Sequence, residues 1–349
     1  MLRKLALGLA GVGSLLVAAE LLLRLLPVST ATLTGYYVDP LILSYPPGHS
    51  WQVSTGWDLR NSRRMSANNL GFAAEIDFAR DPNAIGLIGD SYVEASMLDA
   101  KDRPAAQLAA ALPSQRPVYA LGGPGSALLD YAERIRFASE KLGLRDFVVL
   151  MESGDLRQSL CGSGNVHGPC LDRQSLQPRI ETQPGPSAAK RWLRHSALAQ
   201  YLAGQLKVDV SRLPAQAFAG ASHDTVPSKP VPAAVDEAQL RARRLMDDAM
   251  VAAVVERFFE RIKPYATGRL VFVVDGRRDA LAAASPQLLD RDAFVVLARQ
   301  RGFTVVDAEP LYQQHSAASK LSLSVSPQDG HLNPLGVGLL MQAAAQALP

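Results

Sequence analysis

The chain has 349 residues, which allows one large domain or two smaller ones with a sizeable hydrophobic core. Its composition, 48% hydrophobic and 20% charged, is that of a globular protein. The formal net charge is only +3, and Lys and Arg are scattered along the chain rather than clustered. This charge pattern does not favour nucleic-acid binding.

Residues 1–26 predict a single membrane-spanning helix. Basic residues at the start precede an apolar run that is interrupted only by Glu20 and Arg24 and is roughly the 20 residues that a bilayer core requires. Glu20 and Arg24 are four residues apart, so they can pair on one helical face. The basic start predicts a cytoplasmic N-terminus, with the rest of the chain outside the cytoplasm. A signal peptide cleaved after residue 19 is the alternative. We favour the anchor because the apolar stretch continues beyond that site.

Short apolar runs alternate with helical patterns from residue 84 onwards, after a lead-in at 27–80 that is rich in Pro, Gly, Ser and Tyr. The predicted strands are 84–88, 117–121, 146–151, 269–275 and 303–307, and the predicted helices are 92–111, 126–142, 236–263, 288–301 and 334–348. This alternation predicts an α/β fold, a doubly wound, flavodoxin-like parallel sheet of about five strands with helices on both faces.

A long segment separates the third and fourth predicted strands. We interpret residues 156–234 as an insertion or lid on a domain that covers 81–349, with a short amphipathic helix near 189–206 and a Pro- and Ala-rich linker after it. Both cysteines, Cys161 and Cys170, lie at the start of this insertion. In an oxidising compartment they would close a small disulfide loop. Free thiols, or a metal site with His167 as a third ligand, are the alternatives.

Polar or glycine-rich residues follow each of the first four strands, where ligands bind in open parallel sheets. These stretches are 89–91, 121–126, 152–155 and 275–278, and the last helix is preceded by the sequence DGHLNPLG at 329–336. Asp275, Arg277 and Arg278 would contact an anionic or polyhydroxylated substrate, or would simply be a solvated strand end.

Ser91 lies where a strand gives way to a helix, which suits either a helix N-cap or a nucleophile. A serine hydroxyl needs a base to accept its proton. Asp329 and His331 are two residues apart in an extended segment, so their side chains lie on the same side. The carboxylate can therefore orient the imidazole and leave its other nitrogen free as a base. A turn with a surface histidine is the alternative.

These motifs together resemble the SGNH (GDSL-type) hydrolase superfamily. The tripeptide Gly-Asp-Ser at 89–91 resembles its first sequence block, and DGHLNPLG at 329–336 resembles its last block. The sequence NNLGF at 68–72 and the N-terminal apolar segment resemble those of membrane-anchored bacterial members. The resemblance implies the SGNH hydrolase fold, with Ser91 as nucleophile, His331 as general base and Asp329 as its orienting partner, and with no metal or organic cofactor.

The resemblance also implies an oxyanion hole, formed by the backbone N–H of Ser91, by Gly122 and by the third sequence block. That block usually carries an Asn, but the matching position here is Gly154. Losing one oxyanion donor typically lowers turnover about a hundred- to a thousandfold. We therefore consider Asn165, inside the cysteine loop, as a replacement donor. A turn residue is the alternative.

The implied function is a serine esterase that cleaves O-acyl esters, O-acetyl foremost, on cell-surface or exported carbohydrate. The implied location is the bacterial inner membrane, with the catalytic domain in the periplasm. One alternative is an O-acetyltransferase that uses the same triad and receives acyl groups from a membrane partner. The other, suggested by the missing Asn, is a degenerate carbohydrate-binding module.

Overall fold

The computed structural model describes residues 2–30, 33–163, 168–206, 246–278, 286–326 and 329–348. The N-terminal elements are α1 (Leu2–Leu25), β1 (Gly35–Asp39), β2 (Ile42–Ser44), β3 (Ser50–Thr55) and β4 (Arg60–Ser66). The next are β5 (Ile85–Gly89), α2 (Ser91–Glu94), α3 (Pro104–Ala111), β6 (Val118–Gly122), α4 (Leu128–Phe137), β7 (Asp146–Met151) and α5 (Asp155–Gln158). Then follow β8 (Pro169–Leu171), β9 (Pro178–Ile180), α6 (Ala188–Leu193), α7 (Ala197–Ala199), α8 (Asp248–Ile262) and β10 (Leu270–Val274). The chain closes with α9 (Pro286–Gln300), β11 (Thr304–Asp307), α10 (Ala308–Ala318), β12 (Ser324–Ser326), β13 (Asp329–Leu332) and α11 (Pro334–Gln346).

The central feature is a five-stranded sheet in the order β6-β5-β7-β10-β11. All of its neighbouring strands pair in parallel. In chain order this is the flavodoxin-like arrangement 2-1-3-4-5, whose topological switch point lies between the first and third strands. The predicted fold class is therefore confirmed, and the switch point falls between β5 and β7.

Both faces of the sheet are buried, because successive side chains of a strand point to opposite sides. In β7, Phe147 and Val149 belong to one hydrophobic core, and Val148 and Leu150 belong to the other. Helices α4, α8 and α9 contribute to the first core, and α3, α10 and α11 contribute to the second. Strands buried on both faces read as continuous apolar runs, which is why the sequence pattern located them.

Two helix predictions differ from the structure, and the first is the helix near 189–206, which is divided into α6 and α7. The stretch 92–111, predicted as one helix, is also divided: α2 ends at Glu94 and is followed by Ala95, whose φ of 45° is left-handed, and α3 begins only at Pro104. A left-handed Ala is costly without tertiary support, and no Gly or Asn marked this break. Helix α10 was not predicted. The predicted helix at 236–263 is present as α8, and its first ten residues, 236–245, lie outside the described residues.

The lead-in motif NNLGF forms a tight, internally bonded loop. The Asn68 side-chain oxygen accepts hydrogen bonds from the backbone of Leu70 and Phe72, at 3.0 and 3.1 Å. Gly71 has a left-handed φ of 73°, and Phe72 is buried in the first core. The motif therefore has a structural role, since it fastens the lead-in to the core of the domain.

The chain divides into two compact units. The first comprises Met1–Leu33, Ser50–Met65 and Pro184–Pro230, and the second comprises Thr34–His49, Ser66–Gln183 and Val231–Pro349. The five-stranded sheet belongs to the second unit. In the first unit, α1 is long and apolar enough over Arg3–Leu25 to cross a membrane or to serve as a signal sequence. The described part of the predicted insertion is thus shared: α5 and the β8–β9 pair belong to the second unit, and α6 and α7 to the first.

Candidate active site

Ser91 is the first residue of α2, directly after the carboxyl end of β5. Asp90 is the N-cap, and its carboxylate accepts a hydrogen bond from the backbone of Tyr92 at 2.8 Å. Gly89 makes this sharp turn possible, because a side chain there would lie only 2.9 Å from the carbonyl oxygen of Leu150 in the neighbouring strand. The capping role that Ser91 could have had is therefore taken by Asp90.

Asp329 and His331 lie on β13, which pairs antiparallel with β12 outside the central sheet. The carboxylate Oδ1 of Asp329 lies 2.6 Å from the imidazole Nδ1 of His331 and also accepts the His331 backbone N–H at 3.1 Å. The next residue after β13, Asn333, caps α11 through a hydrogen bond from Gly336 at 3.0 Å. The extended backbone thus orients both side chains to one side, as the spacing predicted.

The structure brings Ser91 and His331 together across 240 positions of the chain. The Ser91 hydroxyl oxygen lies 2.9 Å from Nε2 of His331. When Nδ1 carries the proton that bonds to Asp329, Nε2 is left to accept the serine proton. The three side chains form a continuous hydroxyl–imidazole–carboxylate chain, the arrangement that activates a serine for nucleophilic attack.

Arg278 links the two halves of this arrangement. Its guanidinium donates to the carbonyl of Gly330, between Asp329 and His331, and to the hydroxyl of Tyr92 at 3.0 Å. It also bonds to the Asp275 carboxylate at 2.5 Å, which holds it at the end of β10. Burial opposes the guanidinium charge, but the charge of Asp275 outweighs it and raises the pKa of Arg278. The sequence left open whether Asp275 and Arg278 contact substrate or form a solvated strand end. In the structure they are bonded to each other, and Arg278 also bonds to Gly330 and Tyr92.

Its neighbour Arg277 is also engaged within the protein. Its guanidinium donates to the two carboxylate oxygens of Glu309 at 2.7 and 3.0 Å. Apart from Asp275, which is three residues from Arg278, the hydrogen-bond partners of these two arginines come from segments 32 to 186 positions away, so the sequence pattern gave no sign of them.

A cluster of buried acids lies behind the Ser91 turn, and sequence reasoning missed it. Burial, together with the charges of Glu152 and Asp275, raises the pKa of Asp90 to about 7. Burial and the charges of Asp90 and Glu152 raise the pKa of Asp155 well above its ordinary value. The Asp155 carboxylate accepts hydrogen bonds from the Tyr131 hydroxyl at 3.0 Å and from the Glu152 backbone at 2.8 Å. Raised carboxyl pKa values cluster at functional sites, which supports this rim as the site.

Gly122, the predicted oxyanion-hole residue, ends β6 and packs directly against α2. A Cβ at this position would lie 2.8 Å from the backbone nitrogen of Glu94 and 2.9 Å from the carbonyl oxygen of Asp90. Any side chain here would displace the helix that begins with Ser91. Gly122 is therefore required for the position of the Ser91 turn, whatever its part in binding an oxyanion.

Gly154 follows β7, on the other side of the switch point from Ser91. Its backbone N–H is not free to bind an oxyanion, because it donates to the Glu152 carboxylate at 2.6 Å. A Cβ at 154 would lie 2.6 Å from Oε2 of Glu152 and 2.9 Å from Nε2 of Gln158, so the ends of these two side chains would have to move to admit a side chain there. Burial raises the pKa of Glu152. A carboxylate thus stands where the resemblance implies an Asn donor. Asn165, the predicted replacement, lies outside the described residues.

Cys161 and Cys170 form a disulfide, as predicted. The carboxylate of Glu181 lies within 4.8 Å of the two sulfur atoms and accepts the backbone N–H of Gly162 at 3.1 Å. Bonded to each other, the two sulfurs are not thiolates and do not form the alternative metal site. His167, the third ligand considered for that site, lies outside the described residues.

No protein-family model and no curated protein matches the chain. Its fold is similar to that of a lipolytic protein of the G-D-S-L family from Veillonella parvula, at 10% identity and a TM-score of 0.40 over 75% of this chain and 96% of that one. It is also similar to a catalytic mutant of an acetylxylan esterase from Geobacillus stearothermophilus, at 11% identity and a TM-score of 0.40 over 76% of this chain and 94% of that one. An alpha/beta hydrolase enzyme from the metagenome of Lake Arreo is similar at 14% identity and a TM-score of 0.36, over 78% and 98% of the two chains.

Proposed function

We propose that this chain is a serine esterase of the SGNH type. The observation that carries the proposal is the unbroken contact from the Ser91 hydroxyl through the His331 imidazole to the Asp329 carboxylate, at 2.9 and 2.6 Å. His331 takes the serine proton as Ser91 attacks the ester carbonyl, and returns it to the leaving alcohol. Water then attacks the acyl-serine with the same imidazole as base, which releases the acid and restores Ser91.

The test compares Ser91→Ala with the parent chain on p-nitrophenyl acetate. The expected result is loss of turnover in Ser91→Ala, together with loss of labelling by a fluorophosphonate, which bonds to an activated serine oxygen and expels fluoride. Ser175→Ala is the matched control, because Ser175 lies on an exposed turn and bonds to Asp172 there. Ester turnover by Ser91→Ala at the parent rate would overturn the proposal.

Water is the acceptor that the geometry favours. The His331 side chain is 30% exposed and the Asp329 side chain 25% exposed, so solvent reaches the triad. A transferase must keep water from its acyl-enzyme. We therefore propose hydrolysis of O-acyl esters, with O-acetyl groups on carbohydrate as the substrate class that the resemblance suggests. Release of acetate from an acetylated oligosaccharide tests the class, and transfer of acetyl to an added acceptor sugar would indicate the transferase instead. Carbohydrate binding without turnover would indicate the degenerate module.

We also propose that α1 anchors the chain in a bacterial inner membrane, with the second unit in the periplasm. The basic residues before the apolar run support a cytoplasmic N-terminus. The Cys161–Cys170 disulfide supports an oxidising compartment for the rest of the chain. The expected result is a chain that resists alkaline extraction from membranes and keeps its N-terminal residues. A mature chain that begins at Glu20 would indicate the cleaved signal peptide.

A further inference from the structure

The carboxylate of Glu20, in the last turns of α1, is hydrogen-bonded to another segment of the first unit. Glu20 accepts hydrogen bonds from Arg24 Nε at 2.7 Å, Ser196 Oγ at 2.8 Å, Leu198 N at 2.9 Å and Ala197 N at 3.0 Å. Arg24 also donates to the carbonyl oxygen of His195 at 2.9 Å. Glu20 therefore accepts backbone N–H groups at the start of α7 that have no partner within the helix. The result is that the segment 195–198 is fastened to α1.

This contact fixes the level of that segment along α1. The apolar span ends at Leu25, and Glu20 precedes Arg24 by four residues, which is about 6 Å along a helix. The segment is thus bonded to the last turn and a half of the span. In a helix that crosses a bilayer, these turns lie at the boundary between hydrocarbon and headgroups.

An exposed apolar surface directly precedes the fastened segment. Trp192 and Leu193, at the end of α6, are 74% and 47% exposed. Of the other two Trp residues, both in the same unit, Trp51 is 3% exposed and Trp57 is 75% exposed, but only Trp192 adjoins the segment bonded to α1. Trp is enriched at both membrane interfaces, where its ring is among apolar groups and its N–H is hydrated. Arg191 adds an exposed cation next to Trp192, a charge that phospholipid headgroups would accept.

We propose that α6 binds the surface of the bilayer that α1 crosses, with Trp192 and Leu193 seated between phospholipid headgroups and the upper acyl chains. This inference rests on the proposed anchor. The membrane then contacts this chain at two places, the span itself and α6, and the Glu20 carboxylate joins them. The described part of the insertion in the first unit is accordingly a membrane-binding element rather than a free lid.

The test uses the full chain in phosphatidylcholine vesicles that contain brominated lipids, which quench only nearby Trp. In a Trp51→Phe/Trp57→Phe variant, Trp192 is the sole Trp. Its emission is expected to be shifted to the blue and to be quenched more by bromine near the headgroup than by bromine near the end of the acyl chain. The matched control is Trp57→Phe/Trp192→Phe, which leaves only the buried Trp51 and is expected to be quenched by neither lipid.

A second comparison avoids changing the buried Trp51. Quenching by the lipid with bromine near the headgroup is expected to be larger in the parent chain than in Trp192→Phe. Since Trp192 is exposed, this substitution does not disturb the core. The inference is overturned if Trp192 emission is unchanged by both lipids while the chain resists alkaline extraction, and in that case the anchor stands. A chain that alkali removes from the vesicles would refute the anchor and, with it, the surface contact.

Discussion

Glu94 offers a test of the electrostatics around the Ser91 helix. It is the last residue of α2, it is buried, and its carboxylate accepts a hydrogen bond from the Tyr45 hydroxyl at 2.8 Å. Burial raises its pKa from 4.5 to about 7, although the charges of Arg103 and Arg134 act in the opposite direction. One pKa unit corresponds to ~1.4 kcal/mol, so the fold disfavours the ionised carboxylate by about 3 kcal/mol.

The sign of the effect on stability follows from linkage. A raised pKa in the fold means that the folded protein holds the Glu94 proton more tightly than the unfolded chain does. The contribution of protonated Glu94 to the free energy of unfolding is fully present below pH 4.5 and is lost as the pH rises to about 7. Glu94→Gln keeps an acceptor for Tyr45 and cannot ionise. We expect it to match the parent chain near pH 4.5 and to be more stable by about 3 kcal/mol at pH 8.

The assay is denaturant unfolding of both chains at the two pH values, followed by the intrinsic fluorescence. Glu133→Gln is the matched control with the opposite sign. Hydrogen bonds from Arg261 and Arg136 outweigh the burial of Glu133 and lower its pKa. Its stabilisation is present above pH 4.5 and is lost as the pH falls, so Glu133→Gln should destabilise at pH 8 and less so in acid. The reasoning fails if Glu94→Gln is the less stable chain at pH 8, because attraction to Arg103 and Arg134 would then exceed the cost of burial.

Three further predictions concern the site directly. Asp329→Asn should lower kcat on p-nitrophenyl acetate by up to roughly ten-thousandfold with little change in KM, because the amide can favour the wrong imidazole tautomer; an unchanged kcat would contradict this. Arg278→Ala should cost about 3 kcal/mol of stability, because it leaves the Asp275 carboxylate buried without its charged partner. Arg278→Lys keeps the charge and should recover part of that loss in thermal unfolding. Equal losses in both variants would contradict a role for the charge. Gly154→Asn alone should not raise turnover, because the adjacent Glu152 carboxylate, which accepts the Gly154 N–H, would compete for the new amide donor. Adding Glu152→Ala should raise kcat by up to about a hundredfold. A gain in the single variant would show that the amide escapes Glu152.

The central sheet could be predicted from sequence because its strands are buried on both faces. Such strands are continuous apolar runs, and Phe147 to Met151 is one example. The end of α2 could not be predicted in this way, although Pro104 is a sequence signal for the start of α3. Ala95 takes a left-handed φ of 45° only because tertiary packing holds it there. Helix α10 did have a local signal, since Asp307 precedes it and accepts the backbone N–H of Glu309 at 3.1 Å.

Ser91, Asp329 and His331 could be predicted because each has a local chemical signature, Ser91 after a strand and the other two in an extended segment before the last helix. The residues around them have none. Arg278 acts through Gly330 and Tyr92, and these partners are 52 and 186 positions away in the chain. The raised pKa of Asp90 likewise depends on burial and on Glu152, which comes from a different strand end. Contacts of this kind arise only when the fold is assembled, so no spacing of residues in the sequence predicts them.

The two halves of the triad differ in how firmly the fold holds them. The Ser91 turn is packed against the sheet on both sides, since Gly89 and Gly122 leave no room for side chains between it and its neighbours. His331 lies on a two-stranded hairpin outside that sheet, which is held to the domain by Leu332, buried in the second core. The distance between the two side chains is therefore set mainly by how well the hairpin is held. Arg278, which bonds to both Gly330 of the hairpin and Tyr92, adds a charged link between the hairpin and the Ser91 helix.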